Sequence, residues 1–478
     1  MEKLKLFLEN FLFYGGISVV QKALPFITLP IITKLLPDSE NYGISDMFNL
    51  IISFGSAIAV LGMFDAIFRE YFEKNDEIYR KYVTSTGLWI VLISSLVISS
   101  VVFLFNKQVS ISLFSDEIYK NLVSLSAFGI FIGSLNIVII APTRMKNQRK
   151  IFFFTGITFP LIGFLTTLYF IRAGSTYEAL VYGAIIMNLV FLIFFCVFNR
   201  KDFSLKMFDK KIAKDLLKIG IPLVPTFVIY WIFHSMDRLM INRMLGSGEL
   251  GIYSVGAKVS SVSQLIYTAF AGGWSYFAFS TMKDKEQVKI NSKVFEYLGI
   301  ASFMVFIIAQ PFISPVFNTF FKGDYVRGKE VFSFLFLSPL ILMLFQTVGN
   351  QVIVIKKSYL STLALLLGAL LNILLNYILI KNYGIEGAAF STLNSYFISV
   401  VLMCIICYKL NIFSIPKKFL IITVLLIIGI YCNFFLKEYI YYKLIYILTF
   451  SLIILNYVKD LKFLVKNKGR NGTENEKD

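Results

Sequence analysis

Charged residues are scarce in this chain of 478 residues. Asp, Glu, Lys and Arg make up 16% of it and hydrophobic residues 57%, whereas a soluble domain carries about 25% charged residues. Long polar stretches are also missing, which excludes a separate soluble domain. The mean hydropathy is +0.73, and apolar runs of about 20 residues, enough to cross a bilayer as a helix, recur along the chain. We therefore predict an all-α integral membrane protein, because barrel strands would alternate in segments of about ten residues.

Histidine and cysteine are equally scarce. The chain has one histidine, His234, and four cysteines, all in apolar segments. Cys404 and Cys407 form a CxxC pair without a second ligand pair, so we interpret them as buried side chains rather than as a zinc or redox site. We find no Walker A motif and expect no cleavable signal peptide, since the first apolar run is too long. The sequence thus predicts no catalytic residues and no metal site.

The net charge is +17, and the basic residues responsible for it are spread over alternate loops rather than gathered in one patch. Most of the 46 Lys and Arg residues fall in alternate loops, which by the positive-inside rule predicts that both termini are cytoplasmic. This pattern indicates topology-setting charge, and we expect no nucleic-acid partner. We predict about fourteen transmembrane helices, at 11–36, 42–66, 83–105, 121–141, 151–172, 177–198, 219–244, 251–281, 294–320, 331–355, 358–380, 386–408, 418–436 and 441–458.

The basic loop 199–218 separates the first six predicted helices from the next six. Its part from Lys206 to Lys218 has the pattern of an amphipathic helix on an anionic leaflet. We interpret the loop as a hinge-like linker between two bundles, and a plain topology anchor with no hinge role is the alternative. We predict five regions: an N-terminal six-helix bundle at 1–198, a linker at 199–218, a second six-helix bundle at 219–408, two appended helices at 409–458 and a polar cytoplasmic tail at 459–478.

An internal repeat supports two related bundles. Aligning Lys34 with Arg243 also aligns Glu40 with Glu249, and the glycines that follow then differ by one residue. Because both segments start on the predicted inner side, the repeat is parallel, with a pseudo-two-fold axis along the membrane normal.

Charged residues inside apolar spans are the first candidates for function, because a charge near a helix centre costs about 2.5–3.5 kcal/mol on insertion scales. The cations of this kind are Lys22, Arg238 and Lys258. Polar residues on the same predicted helices share faces, as the 4, 4 and 3 residue spacing from Thr226 to Asp237 indicates. The candidates for a polar cavity or a coupling ion are Asp46, Asn49, Tyr230, His234, Asp237, Gln346, Asn350 and Asn372.

Each candidate also has a structural alternative. Amides and hydroxyls in membrane helices often hydrogen-bond to neighbouring helices. Asp237 and Arg238 can form a structural ion pair, Asp46 can pair with Lys22 or Lys258, and a lone histidine in a helix can be a packed neutral group.

Several short motifs resemble the signatures of bacterial polysaccharide exporters at helices 1–2, 7–8 and 11–12. In chain order these motifs are Leu29-Pro30, Thr33–Leu36, Tyr42–Ile44, Asp237–Ile241, Leu245-Gly246, Glu249–Val255 with Lys258, and Tyr383–Ala389. With its predicted topology, the chain resembles a Wzx-type oligosaccharide flippase of the multidrug/oligosaccharidyl-lipid/polysaccharide superfamily.

The resemblance implies two six-helix bundles that rock about a central cavity. The implied substrate is an undecaprenyl-pyrophosphate-linked oligosaccharide repeat unit, moved from the inner to the outer leaflet of the bacterial cytoplasmic (inner) membrane for O-antigen, capsule or exopolysaccharide assembly. Membrane lipids, a polysaccharide polymerase and a chain-length regulator are the implied partners. We expect no cofactor beyond a coupling ion.

In this interpretation Lys22, Arg238 and Lys258 neutralise a pyrophosphate or acidic sugars. Such charge pairing is stronger in a low-dielectric site than in water. Asp46 and Asp237 bind a coupling proton or sodium ion, and the uncharged polar residues bind sugars. The alternative within transport is a cation-coupled multidrug exporter, a class that favours acidic cavity residues. The alternative from another class is a membrane-embedded enzyme acting on lipid-linked glycans, for which the short predicted outer loops leave no room for a sizeable catalytic domain.

Overall fold

The computed structural model describes residues 24–268, 270, 274, 286–436 and 440–474, with side chains to residue 457. Within this part every regular element is helical, which confirms the all-α prediction. The helices before the linker are α1 (Leu24–Leu35), α2 (Ser39–Ala59), α3 (Met63–Tyr71), α4 (Glu77–Leu104), α5 (Asn106–Phe114), α6 (Lys120–Ile139), α7 (Ala141–Met145), α8 (Arg149–Arg172) and α9 (Tyr177–Phe198). The linker contains α10 (Lys210–Gly220). After it come α11 (Val224–Leu245), α12 (Ser247–Ser260), α13 (Gln287–Ala309), α14 (Ile313–Phe320), α15 (Lys329–Val354), α16 (Tyr359–Lys409), α17 (Lys417–Tyr431) and α18 (Tyr441–Glu474).

The helices of the described part are long and apolar enough for a multi-pass membrane protein. Nine of them qualify as membrane spans, and a tenth if the bent pair α2–α3 counts as one. That count takes α16 as one helix, although Gly384, at φ 61° and ψ −142°, divides it. The break lies in the turn predicted between 358–380 and 386–408. The number fourteen and the cytoplasmic position of the termini stay predictions.

Two predicted helices have the wrong extent. The helix predicted at 42–66 is broken, because Leu61 and Gly62 adopt positive φ angles of 50° and 67°, and α3 leaves α2 at 45°. Gly62 packs on the linker: a Cβ there would lie 2.4 Å from the carbonyl oxygen of Gly220. The helix predicted at 251–281 starts earlier, as α12, and is interrupted after Ser260 by a turn at 261–262. Its predicted end lies outside the described residues.

The linker forms an amphipathic helix that begins at Lys210 rather than at the predicted Lys206, and its apolar face packs in a protein core rather than on a leaflet. Hydrogen bonds join the linker to α4. Asp209 caps α10 by accepting hydrogen bonds from the backbone N–H groups of residues 211 and 212. Such a cap satisfies N–H groups that lack a partner within the helix. Ser85 Oγ accepts from Ser204 N at 2.9 Å, and Thr84 Oγ1 donates to the Asp202 carbonyl at 2.6 Å. The apolar face of α10 is buried, whereas its four lysines are exposed: Lys210, Lys211, Lys214 and Lys218.

We call residues up to 198 the N-half, residues 199–220, which end with α10, the linker and residues from 221 the C-half. The halves meet closely at the predicted outer end, where α2 crosses α12. A Cβ added to Gly43 would lie 1.8 Å from the Ser247 carbonyl oxygen, and one added to Gly251 would lie 1.9 Å from the Ser39 carbonyl oxygen. Small residues permit such close approach of membrane helices. Each glycine meets the serine carbonyl of the other segment, so the contact pairs two Ser-x-x-x-Gly segments reciprocally. It therefore aligns Gly43 with Gly251, whereas the predicted repeat aligns Gly43 with residue 252.

Side chains of the C-half also donate hydrogen bonds to backbone carbonyls of the N-half at this end. Tyr325 Oη, fully buried, donates to the carbonyls of Leu36 and Asp38, each at 3.1 Å. Asn242 Nδ2 donates to the Leu113 carbonyl at 2.7 Å. Arg243 Nη1 donates to the carbonyl of residue 112. We call these contacts, together with the Ser-x-x-x-Gly crossing, the outer seal.

The two C-terminal helices share the hydrophobic core of the C-half. Phe434, directly after α17, stacks on Phe390 at a centroid distance of 4.0 Å. Near the predicted inner end, Glu296 of α13 accepts from Tyr457 Oη at 2.5 Å and pairs with Lys418 Nζ at 3.4 Å. Helices predicted as an appendage are thus packed firmly against the C-half.

Candidate functional site

A cavity of about 860 Å³ lies between the halves at the predicted inner end. Helices α2, α3 and α6 to α9 line one side of this cavity, and α11 lines the other. Gly62, which packs on the linker, and Arg144, in the predicted cytoplasmic loop 142–150, both line it. Two predicted candidates, Tyr230 and His234, belong to its α11 wall. We call it the inner cavity.

Aromatic rings alternate with small polar groups in the wall of the inner cavity. Trp231 Nε1 donates to Ser53 Oγ at 2.9 Å, and its ring packs on Phe54 at 4.6 Å, which fixes the indole. Asn136 Nδ2 donates to the Asn188 carbonyl at 3.1 Å, whereas Asn136 Oδ1 is buried without a hydrogen-bond partner among the described residues. Apolar walls with a few oriented polar groups are typical of small-molecule sites. The rings are Phe64, Phe152, Phe191, Phe227, Tyr230 and Trp231, and the hydroxyls are Ser53, Ser56, Thr155 and Ser235.

The charged candidates form a separate cluster where α2 meets α11 and α12. Arg238 Nη1 lies 3.5 Å from Asp46 Oδ2, and Ser254 Oγ donates to the same oxygen at 2.8 Å. Asp237 accepts from the backbone N–H of Arg238 at 2.8 Å and from the hydroxyl of Tyr253. The guanidinium of Arg238 therefore pairs with Asp46, rather than with Asp237 as in the structural alternative.

Lys258 belongs to this cluster through an aromatic ring. Its Nζ lies 4.9 Å from the centroid of Tyr42, a favourable cation–π distance. Lys258, Arg238, Asp46 and Asn49 all line one cavity of about 460 Å³. The structure thus brings together two predicted cations and two predicted polar candidates that are up to 212 positions apart in the sequence.

The charges of this cluster balance. By formal charge the two cations Arg238 and Lys258 match the two carboxylates Asp46 and Asp237. Arg238 pairs directly with Asp46, whereas Lys258 lies over the Tyr42 ring. The net positive charge predicted for the site therefore depends on Lys22, which lies outside the described residues.

The remaining candidates lie in the C-half around a third, small cavity of about 120 Å³, which Asp237, Tyr267 and Thr392 line. Asn372, fully buried, donates to Thr392 Oγ1 at 3.3 Å and accepts from Asn376 at 3.0 Å. Gln346 Nε2 donates to Tyr267 Oη at 2.7 Å. Both therefore act as partners of cavity residues. Asn350, half-buried on α15, lines none of these three cavities.

Sequence reasoning missed most of the N-half wall of the inner cavity. Asn136 and Asn188 are amides within apolar helices, which is a usable signal, but an amide in a membrane helix most often bonds to a neighbouring helix. In the sequence, Arg144 is one of several basic residues in a predicted cytoplasmic loop, where such residues ordinarily set the topology. Position in the fold, rather than residue type, sets these residues apart.

A family model described as "Polysaccharide biosynthesis protein" matches residues 31–317, more than half of the chain. The probable low-salt glycan biosynthesis flippase Agl15 of Haloferax volcanii is 23% identical over 235 residues, 48% of this chain and 49% of that protein. An uncharacterized membrane protein of Methanocaldococcus jannaschii is 26% identical over 198 residues, 40% of this chain and 39% of that protein. The matched region thus spans about two fifths of the length of that relative.

Solved structures share the fold over most of the chain. The lipid II flippase MurJ in an inward closed conformation covers 94% of this chain, and the match covers 99% of MurJ, with a TM-score of 0.69 at 17% identity. The match to a multidrug resistance MATE transporter in an inward-facing conformation covers 82% of this chain and 98% of the transporter. Its TM-score is 0.61 at 13% sequence identity.

Proposed function

Because the chain belongs to the polysaccharide biosynthesis protein family, we propose that it moves a lipid-linked oligosaccharide from the inner to the outer leaflet of a cytoplasmic membrane. Membership of this family confirms the predicted resemblance to polysaccharide exporters and indicates a transporter rather than an enzyme. The proposed substrate is an undecaprenyl-pyrophosphate-linked repeat unit of a surface polysaccharide. Similarity to the Haloferax relative, a probable low-salt glycan biosynthesis flippase, supports the same class of substrate.

The inner cavity is the observation that carries this proposal. Sugars present hydroxyls around apolar ring faces, and the wall offers both aromatic rings and hydrogen-bonding groups, such as Trp231 and Asn136. An amphipathic ring such as indole makes apolar contact with one face while its N–H binds a polar group. In our proposal the sugars enter this cavity from the predicted inner side while the polyprenyl chain stays in the lipid.

Alternating access is the proposed mechanism. The N-half and the C-half act as the two bundles, and substrate binding favours a state in which the outer seal has parted and the inner cavity has closed. A ligand shifts such an equilibrium only by its difference in affinity for the two states. The balanced cluster around Asp46 and Arg238 lies between the inner cavity and the outer seal, where a negatively charged substrate or a coupling proton or sodium ion would alter its pairing.

Complementation tests this function. A flippase-null strain that makes a defined lipid-linked unit receives the wild type, Lys22→Ala, Arg238→Ala, Lys258→Ala or Trp231→Ala, with Asn350→Ala as the control, all at matched membrane levels. We expect the wild type and Asn350→Ala to restore the surface glycan and the other variants to fail. Failure of the wild type with its correct substrate would contradict the proposal. Drug resistance that depends on the protein would then favour a multidrug exporter.

A further inference from the structure

Three phenylalanines form a row on the side of α3 that faces away from its packing partners. Phe64, Phe68 and Phe72, which directly follows the helix, are spaced four residues apart and so lie on one face. We call them the aromatic row. The buried side of α3 is formed by other residues, namely Met63, Ala66, Ile67, Glu70 and Tyr71. Phe68 and Phe72 are exposed, at 38% and 55%, and lie outside the core against which α3 packs.

The aromatic row leads out of the inner cavity. Phe64 lines that cavity. The ring centroids of Phe64 and Phe68 lie 6.1 Å apart, and those of Phe68 and Phe72 lie 5.5 Å apart. Because α3 leads from the break at Gly62 to the loop before α4, the row extends the aromatic wall of the cavity to the predicted cytoplasmic surface.

Two charged residues border the aromatic row. Asp65 follows Phe64 and lines the inner cavity, and Arg69 follows Phe68. Both are exposed, and the Arg69 side chain, 3.7 Å from the Glu70 carboxylate, keeps 62% exposure. A charge that faces hydrocarbon is costly, so we expect this face of α3 to border water. Rings beside hydrogen-bonding groups match a sugar, which has apolar C–H faces on its ring and hydroxyls around its edge.

We propose that the aromatic row binds those sugars of the lipid-linked unit that extend beyond the inner cavity. This inference rests on the proposed function, because it assumes that such a unit enters there. A cavity of about 860 Å³ has the size of a site for one drug-sized ligand, so the sugars of a longer unit that lie farthest from the lipid stay on the inner side.

The spacing of the rings fits an extended glycan. The separations of 6.1 and 5.5 Å are close to the length that one pyranose ring adds to an extended oligosaccharide. Successive sugars therefore meet successive rings, while Asp65 and Arg69 lie beside them for their hydroxyls. Phe68 and Phe72 are thereby specificity residues for the length of the glycan.

The first test measures binding of two lipid-linked ligands to the purified full-length protein in phosphatidylcholine nanodiscs. One ligand is the complete repeat unit extracted from the host, and the other is the same lipid with its first sugar only, from a host that lacks the later glycosyltransferases. The ratio of the two dissociation constants isolates the contribution of the distant sugars. The variants are Phe68→Ala, Phe72→Ala and Phe68→Trp. Phe154→Ala is the matched control, because it removes an exposed phenylalanine of α8 outside the cavity lining.

We expect the wild type to prefer the complete unit. Phe68→Ala and Phe72→Ala should each reduce this preference about two- to tenfold, as for loss of one aromatic stacking contact. Phe68→Trp supplies a larger ring and should keep the preference, and Phe154→Ala should behave as the wild type does. Each variant changes an exposed residue, and size-exclusion profiles establish that it is folded.

The second test determines by fluorescence whether the aromatic row borders water or lipid. A nitrobenzoxadiazole label is attached to Arg69→Cys, which leaves all three rings in place, in a background without the native cysteines. Leu165→Cys, at a position 61% exposed in the middle of α8, is the lipid-facing reference. We expect iodide to quench the label at residue 69 and brominated phosphatidylcholine to quench the label at residue 165. The complete unit should protect residue 69 from iodide more than the one-sugar lipid does.

The outcomes separate this inference from the proposed function. If the wild type binds neither lipid-linked ligand, the function itself is contradicted. If the wild type binds both equally, or if Phe68→Ala and Phe72→Ala keep the preference, the aromatic row does not bind sugars and the function stands. A loss in Phe154→Ala or Phe68→Trp as large as that in Phe68→Ala has the same meaning. Quenching of residue 69 by brominated lipid instead of iodide would identify the row as a membrane anchor, which also overturns the inference.

Discussion

The two ends of the molecule join the halves in opposite ways. At the predicted outer end, Gly43 and Gly251 bring α2 and α12 into backbone contact, and Tyr325 binds carbonyls of the opposite half. At the predicted inner end, a cavity of about 860 Å³ lies between α11 and the N-half, and α11 touches the N-half there through the hydrogen bond of Trp231 to Ser53 and its ring contact with Phe54. Two glycines allow backbone contact at the closed end, whereas large rings line the open one. The comparison teaches that closure here depends on a few positions where nothing larger than glycine fits.

The largest expected effect comes from Gly43→Val. Its Cβ would meet the carbonyl oxygen of Ser247, a backbone atom that cannot swing away, so the α2–α12 crossing cannot form and transport should fall below detection. Gly248→Ala is the matched control, because an added Cβ at Gly248 has Ser39 Oγ as its nearest neighbour, at 3.5 Å. The measurement is labelling of Ser45→Cys by an impermeant maleimide from the outer side, in a background whose native cysteines are replaced.

Ser45 is buried and lines the cavity just inside the outer seal. We expect labelling to rise strongly with Gly43→Val and to stay low with Gly248→Ala. Equal labelling of the two variants would mean that the glycine crossing does not close the outer end.

Asp46→Ala ranks second. It leaves Arg238 largely buried without its carboxylate, and removal of one partner of a buried pair costs about 3–5 kcal/mol. Because the Arg238 side chain keeps 28% exposure, we expect about 3 kcal/mol or less, seen as a lower unfolding temperature in detergent. Asn49→Ala, one turn further along α2, should cost much less, since its amide donates to the carbonyl of residue 45 in its own helix.

The double variant Asp46→Ala with Arg238→Met sharpens this second test. If the pair is the cause, the double variant should recover part of the lost stability. Equal destabilisation by Asp46→Ala and Asn49→Ala would show that the cluster adds nothing specific to the contact between the halves.

Tyr325→Phe should have a moderate effect on the outer seal. It removes the hydroxyl that donates to two carbonyls of the N-half, worth about 1–2 kcal/mol in total, and should raise outer labelling of Ser45→Cys up to about thirtyfold. Tyr431→Phe is the control, because the Tyr431 hydroxyl donates to Asn394 within the C-half. A larger effect of Tyr431→Phe would argue against a seal between the halves.

Arg327→Gln should have the smallest effect. Arg327 makes a two-pronged ion pair with Glu249, at 2.6 and 3.1 Å, but both residues belong to the C-half and are partly exposed. Such pairs contribute about 0–1 kcal/mol, so a slightly lower unfolding temperature and unchanged outer labelling are expected. A marked rise in labelling would mean that contacts within one half, rather than across the halves, control the outer end.

The sequence predicted the helical membrane fold and several residues of the charged cluster. Hydrophobic runs report length directly, and the cost of intramembrane charge singled out Asp46, Arg238 and Lys258, which the structure places together. The pairing of Arg238 with Asp46 was not predictable, because helical periodicity identifies a face but not the helix opposite to it.

The break in α2 and the wall of the inner cavity were not predictable for a similar reason. Gly62 is one glycine in an apolar run, and nothing in that run indicates its positive φ or its close contact with Gly220. Asn136 and Arg144 became candidates through the space they line. Both cases depend on contacts between residues that are distant in sequence, about which local patterns carry no information.

The most direct test of the central claim is the leaflet distribution of the lipid-linked glycan in spheroplasts with and without the protein. A membrane-impermeant lectin or glycosidase added outside reports the fraction in the outer leaflet. We predict that loss of the protein traps the intact lipid-linked unit in the inner leaflet, and that restoring the wild type, but not Gly43→Val, returns it to the outer leaflet. An unchanged distribution, or a chemically altered glycan in place of a trapped one, would contradict a flippase.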